Sequence, residues 1–256
     1  MGSVEGNTVT GRREAADLPG YERLGGRVPV VYPPGLDGRV AEARDLLEAG
    51  TAALSEILGV EPPGLEALLV ADGDWGLAPR EYERPYPPGL PYFTRAATPP
   101  ALVLPETLSP VFRPRTAATG ALVVWHELAH AFLLREPVPR TPAWLRELVP
   151  QALSAAVARR TGLPLAEHLE RIDRDPGFTV RGFGGRAAAQ EQMAFQNLLL
   201  ALGDAALQEF CEGYLGALAH ALWEERDVVG EERAERLLAD ALGPDGLEWL
   251  ASRPEY

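Results

Sequence analysis

The sequence has little cysteine and little histidine: one cysteine, Cys211, and four histidines among 256 residues. A single cysteine cannot form an internal disulfide, and it cannot build a zinc site of the cysteine-rich kind. Because Cys211 follows Phe210 in a predicted helix, we interpret it as a packing residue rather than as a nucleophile. These shortages exclude a disulfide framework and a structural site made of several thiolates.

Long hydrophobic runs are also absent. No stretch of roughly 18 apolar residues occurs, so the sequence predicts no membrane span. The segment 1–20 is polar, rich in glycine and charge, and lacks the apolar core of a secretory signal. We therefore expect a soluble cytoplasmic protein that has no membrane partner.

Basic residues are outnumbered, with 24 Lys and Arg against 37 Asp and Glu, for a net charge of −13. Nonspecific binding of nucleic acid requires basic side chains to neutralise phosphates, so this composition argues against it. We attribute the acidic surface to solubility. The hydrophobic content of 46% is sufficient for a sizeable core, in one large domain or in two packed subdomains.

The pattern along the chain predicts an α+β fold, with a small N-terminal mixed sheet-and-helix subdomain followed by a mainly helical subdomain. Strands are expected at 27–32, 65–71, 92–96 and 101–104, with a helix at 38–58. Further helices are expected near 117–135, 143–160, 164–173, 187–202, 204–225 and 230–242. Pro29 favours an edge position for the first strand, and Gly50 lies on the apolar face of the first helix, where it lowers intrinsic helix stability. The predicted division is a flexible tail at 1–18, an N-terminal subdomain at 19–135 and a C-terminal helical subdomain at 136–256.

The motif that carries chemistry is His-Glu-Leu-Ala-His at 126–130, which is H-E-x-x-H. In a helix, positions i and i+4 lie on one face, so His126 and His130 can bind one Zn²⁺ at about 2.0–2.1 Å each. Glu127 lies beside this pair and can reach a water on the metal, where it would act as the general base. The flanking apolar residues predict a largely buried helix, and the competing interpretation is a pair of surface histidines without a metal.

A second pattern, P-x-W-L-x-E, ends at Glu147, and Thr141-Pro142 in front of it favours a helix start. Together the two patterns resemble the gluzincins, the thermolysin-like and aminopeptidase-like clan of zinc metallopeptidases. The resemblance covers roughly residues 25–160. It implies that Glu147 is the third zinc ligand, on a helix antiparallel to the motif helix. It also implies hydrolysis of peptide bonds in a peptide or protein substrate through a metal-activated water.

The sequence departs from that clan after Glu147, where Leu148-Val149-Pro150 follows instead of glycine and a small residue. A proline inside a helix costs about 3 kcal/mol or more, so we expect either a kink at Glu147 or a short turn followed by a new helix at Pro150. Both leave Glu147 able to bind the metal. The alternative for Glu147 is a solvent-exposed partner of an arginine, with His168 and His220 as substitute ligands.

The resemblance further implies an oxyanion donor in the helical C-terminal part, for which Tyr214 and His220 are the candidates. His220 can equally be a hydrogen-bonded histidine on an apolar helix, and His168, flanked by charge, is expected on a solvent face. The sequence thus favours a zinc metallopeptidase. The alternatives are a catalytically inactive zinc-binding regulatory or scaffold domain on the same fold, and a zinc hydrolase of a non-peptide amide.

Overall fold

The computed structural model describes the backbone of residues 13–14, and residues 18–81, 86–134, 140–183 and 188–256 in full. The chain forms two compact units, which we call the sheet unit (residues 1–48 and 63–110) and the helical unit (residues 49–62 and 111–256). A small mixed sheet is followed by a mainly helical region, which confirms the predicted α+β class. The predicted tail at 1–18 lies almost wholly outside the described residues.

The sheet unit is built on a mixed five-stranded sheet of order β2-β3-β4-β7-β5. Its strands are β2 (Glu22–Leu24), β3 (Val30–Tyr32), β4 (Glu66–Val70), β5 (Tyr92–Thr94) and β7 (Ala101–Pro105). The inner three strands are parallel, and the two outer strands pair antiparallel to them. A further parallel pair joins β1 (Arg13–Glu14) to β6 (Ala97–Thr98). Every residue of β4 and β7 is buried, which is typical of parallel strands covered on both faces.

The predicted edge position of the first strand is wrong. Strand β3 begins after Pro29 and lies between β2 and β4. The prediction placed this strand at the edge because the sequence pattern did not reveal β2. The Pro29 carbonyl accepts a hydrogen bond from the Ala67 amide at 2.9 Å. Proline lacks only the donor, so it can stand at the start of an interior strand without disturbing the ladder.

The helical unit contains most of the helices. They are the second half of α1 (Asp37–Leu58), then α2 (Thr119–Leu133), α3 (Ala143–Arg160), α4 (Ala166–Glu170), α5 (Ala189–Phe210), α6 (Gly213–Glu224), α7 (Glu231–Leu242) and α8 (Gly246–Ala251). Helix α3 packs against α2 and α5, and α7 packs against α6 and α8. In this division the motif helix α2 belongs to the helical unit. Across the described ranges, none of the helices combines the length and the hydropathy required to cross a bilayer.

Helix α3 passes through Pro150 without interruption, so the predicted new helix beginning at that residue is wrong. From Leu148 to Ala158 every residue except Gln151 is buried. Full burial of one Val or Leu side chain contributes about 1.5–3 kcal/mol, so the four in this stretch outweigh the roughly 3 kcal/mol that an internal proline costs. Glu147 therefore lies within a continuous helix, with Gln151 one turn further along on the same face.

The predicted helix boundary at 202–204 is also wrong, because α5 continues to Phe210. A Cβ atom added at Gly203 would lie 2.7 Å from the Ala152 Cβ atom. Glycine at this position lets α5 approach α3 closely, so its role is packing rather than ending the helix.

Gly50 in helix α1 faces the motif helix: a Cβ atom there would lie 2.5 Å from Trp125 Cδ1 and 3.0 Å from Leu128 Cδ2. We predict that Gly50→Ala lowers the free energy of unfolding by about 1–3 kcal/mol, because overpacking outweighs the gain in helix propensity. Urea denaturation measures this change. Gly38→Ala, on the same helix with nothing within 4 Å of the added atom, is the control and should be neutral or stabilising. Equal effects of the two substitutions would contradict the prediction.

Candidate metal centre

The two histidines of the motif lie one turn apart on helix α2 and converge. Their Nε2 atoms are 3.1 Å apart, and their ring planes are nearly perpendicular, at 81°. His126 is buried and His130 is half-buried, because α2 presents its apolar residues to the surrounding helices. The helical spacing that predicted a shared ligand position is thus present in the folded helix.

Glu147 joins this pair from helix α3, which packs against α2. Its Oε2 atom lies 3.5 Å from the Nε2 atom of His126 and 3.5 Å from that of His130. Within the described part of the chain, these three residues form a group of His and Glu side chains whose ligand atoms all lie within 4.8 Å of one another, and we call them the ligand group. The structure therefore brings the three sequence-predicted ligands together.

The distances fit a tetrahedral ion. Ligand atoms bound at about 2.0–2.1 Å in tetrahedral geometry are about 3.3 Å apart, close to the separations of 3.1, 3.5 and 3.5 Å found here. In a triangle with these sides, the point equidistant from the corners lies about 2 Å from each, so the three atoms could all hold one ion at ordinary bond lengths. Two imidazole nitrogens and one carboxylate oxygen also form a donor set that catalytic zinc uses with its fourth position open.

The electrostatics of the group favour a cation. Burial alone would raise the pKa of Glu147, but hydrogen bonds and charge from the two imidazoles hold that pKa well below its usual range. Burial would lower the pKa of His130, but the Glu147 carboxylate and, less strongly, Glu127 raise it overall. The Glu147 carboxylate is therefore kept ionised, which is the charge state in which a carboxylate acts as a ligand, whereas each imidazole would bind a metal only with its Nε2 atom unprotonated.

The Nδ1 atom of His126 is buried and has no hydrogen-bond partner among the residues that the structure describes. Metal-binding histidines usually donate from their second ring nitrogen to a carboxylate or a carbonyl. Among the described residues, His126 therefore departs from the usual pattern of a metal-binding histidine at its second ring nitrogen.

The proposed general base, Glu127, follows His126 on α2 and is half-buried. Its carboxylate is close enough to His130 to act on that ring electrostatically. It is not a member of the three-residue ligand group. This position agrees with a residue that accompanies the metal ligands without being one of them.

Two glutamines that the sequence pattern did not reveal, and one arginine, contact Glu147 directly or through a neighbour. Gln196 of α5 donates from Nε2 to Glu147 Oε2 at 3.1 Å, and Gln151 donates to Gln196 Oε1 at 2.7 Å. The exposed Arg146 approaches the other carboxylate oxygen, with 3.4 Å between its Nε atom and Oε1. The spacing of four residues places Gln151 on the same helix face as Glu147, but nothing in the sequence connects Gln196 to this site.

His168 is placed differently from the sequence expectation. It is buried on helix α4, with its Nδ1 atom 3.0 Å from the Thr116 hydroxyl, so the predicted solvent-facing position is wrong. Burial lowers its pKa. The prediction relied on the charged residues that flank His168. In the structure, the side chain on the five-residue helix α4 turns towards the segment before α2. His168 is not in the ligand group.

The two predicted oxyanion donors make hydrogen bonds to the backbone. The buried Tyr214 hydroxyl donates to the Gly203 carbonyl at 3.4 Å, and the Nε2 atom of His220 lies 3.0 Å from the Leu58 carbonyl. Neither residue belongs to the ligand group. Their catalytic roles stay predictions that these contacts do not favour, and His220 matches the alternative of a hydrogen-bonded histidine.

Comparison of the chain with models of known protein families finds no match. Comparison with curated proteins finds no significant match either. The resemblance to the gluzincins therefore stays a prediction that depends on the motif residues.

Proposed function

We propose that this protein is a zinc-dependent metallopeptidase whose metal ligands are His126, His130 and Glu147. One observation carries the proposal: three ligand atoms of the types that catalytic zinc prefers lie at the corners of a triangle with sides of 3.1, 3.5 and 3.5 Å. The position of Glu147 beside both imidazoles supports it, because a carboxylate ligand compensates part of the charge of a cation.

When bound, zinc would activate a water molecule and polarise the scissile carbonyl group. The residues of the chain perform the remaining steps. The imidazoles of His126 and His130 would hold the metal through Nε2, and Glu147 would hold it through Oε2. The Glu127 carboxylate accepts the proton of the attacking water and later donates it to the nitrogen of the leaving amine. A single carboxylate thus serves first as the base for the water that attacks the carbonyl carbon and then as the acid for the nitrogen of the same peptide bond.

A second candidate is a zinc-binding regulatory or scaffold domain without turnover. It is favoured by the contacts of Tyr214 and His220, whose polar atoms are both engaged by backbone carbonyls. A peptidase of this type gains several kcal/mol from a donor to the oxyanion, whereas both predicted donors contact backbone carbonyls in the structure. Both candidates require zinc, and they differ in turnover.

Metal analysis tests the requirement that they share. We predict about one zinc per chain in the purified protein, as for a single catalytic site, and strong loss of zinc in Glu147→Gln, which keeps the shape of the side chain but removes its charge. Atomic absorption after gel filtration measures the content. Glu170→Gln, on the exposed face of α4, is the control and should keep full zinc. A wild-type protein without zinc would contradict both candidates.

A further inference from the structure

Two glutamines extend the candidate metal centre away from the ligands. Gln151 follows Glu147 by one turn on α3, and Gln196 lies on α5, which packs against α3. The amide of Gln151 donates to Gln196 Oε1 at 2.7 Å, and the amide of Gln196 donates to Glu147 Oε2 at 3.1 Å. The oxygen that receives this last bond is the one that faces both imidazoles.

The Glu147 carboxylate sets the direction of the hydrogen bonds that run from Gln151 through Gln196. An ionised carboxylate only accepts hydrogen bonds, so Gln196 must present its amino group to Glu147. Its oxygen then points away from Glu147 and requires a donor, which the amino group of Gln151 provides. Gln151 therefore fixes the amide orientation that Gln196 needs.

The contact from Gln196 becomes more important when a metal is bound. Imidazole nitrogens that act as ligands carry a lone pair rather than a proton, so they no longer donate to Glu147. Gln196 keeps its N–H group in either state, because an amide does not titrate. We propose that Gln196, oriented by Gln151, is a positioning residue that directs Glu147 Oε2 at the metal. This inference rests on the metal site of the proposed function and not on turnover.

Zinc affinity of the full chain tests the role directly. Metal is removed with a chelator, and binding is measured by competition with a chromophoric zinc chelator. Gln196→Met, which keeps the length of the side chain but cannot donate, should bind zinc about 10–100-fold more weakly than wild type. Gln151→Met should have a smaller effect. In the double variant the two losses should not add, because Gln151 acts only through Gln196.

A matched control lies on the same helix. Gln208 also donates to a carboxylate, Asp204 Oδ2 at 2.7 Å, but neither residue belongs to the ligand group. Gln208→Met should bind zinc within about twofold of wild type. With Co²⁺ in place of zinc, the visible absorption spectrum should change in Gln196→Met and stay unchanged in Gln208→Met, because that spectrum reports ligand geometry rather than overall stability.

The outcomes separate this inference from the proposed function. Zinc affinity of Gln196→Met within about twofold of wild type would overturn the inference and leave the metal site in place. Fully additive losses in the double variant would overturn the role of Gln151. If Gln196→Met does not fold, Gln151→Met alone decides, and unchanged affinity there overturns the inference. A wild-type chain that binds no zinc removes both proposals, whereas zinc binding without peptide cleavage removes only the peptidase.

Discussion

Glu127→Gln is expected to bind zinc as wild type does and to hydrolyse peptides about 10²–10⁴-fold more slowly, the contribution that a positioned general base makes. The amide has nearly the same shape as the carboxylate but cannot accept a proton at neutral pH. Glu127 lies outside the ligand group, so its neutralisation leaves all three ligand atoms in place. Cleavage of a fluorogenic peptide library, together with zinc analysis of the same preparation, measures both quantities.

The comparison with two other substitutions makes this result specific. Glu170→Gln removes one exposed carboxylate from the same unit and should change neither zinc content nor cleavage rate. Glu147→Gln should lose zinc and cleavage together, since it removes a ligand. Full activity of Glu127→Gln would show that another group accepts the proton. Absence of cleavage in the wild-type protein with zinc bound would favour the regulatory or scaffold alternative.

The central pair of the candidate site could be predicted because it depends on one helix only. A spacing of four residues places His126 and His130 on the same face of any α-helix, and the apolar flanks indicate that the helix is buried. Glu147 was predicted from a resemblance rather than from spacing, since its position depends on how α3 packs against α2. Gln196 lies 49 residues after Glu147, and only the packing of α5 brings the two together.

Glycine and proline show why local rules were less successful. Gly50 and Gly203 both lie inside helices, where propensity alone counts against them. The structure shows that their missing side chains admit Trp125 in one case and Ala152 in the other. Pro150 was expected either to follow a kink at Glu147 or to begin a new helix, and the continuous α3 contradicts the new helix. The presence of these residues inside helices depends on tertiary packing, which cannot be read from a single sequence.

The strand pattern was predicted where it was continuous and missed where it was short. Strand β7 is an uninterrupted apolar run, β4 is apolar after Glu66, and both occur where expected. Strand β2 is three residues long and largely exposed, so it carries no hydrophobic signal. Its pairing with β3 nevertheless moves Pro29 away from the sheet edge. Short exposed strands therefore limited the predicted sheet order more than the buried ones did.

His130→Ala is expected to remove most of the stabilisation that zinc gives to the wild-type fold. A ligand that binds only the native state at about 1,000 times its Kd raises the free energy of unfolding by about 4 kcal/mol. In a unit of this size that corresponds to a rise in Tm of roughly 8–16 °C. Removing one of three ligands should weaken zinc binding by more than the roughly 100-fold upper range of losses at supporting residues. Thermal unfolding with and without added zinc measures the increment.

The matched control is His220→Ala, which also removes an imidazole from the helical unit but lies outside the ligand group. Loss of its contact with the Leu58 carbonyl should lower Tm in both conditions and leave the zinc-dependent increment unchanged. The increment, rather than Tm itself, therefore distinguishes a metal ligand from a packing residue. An increment that survives in His130→Ala but disappears in His220→Ala would move the metal site from the H-E-x-x-H helix to the substitute ligand His220.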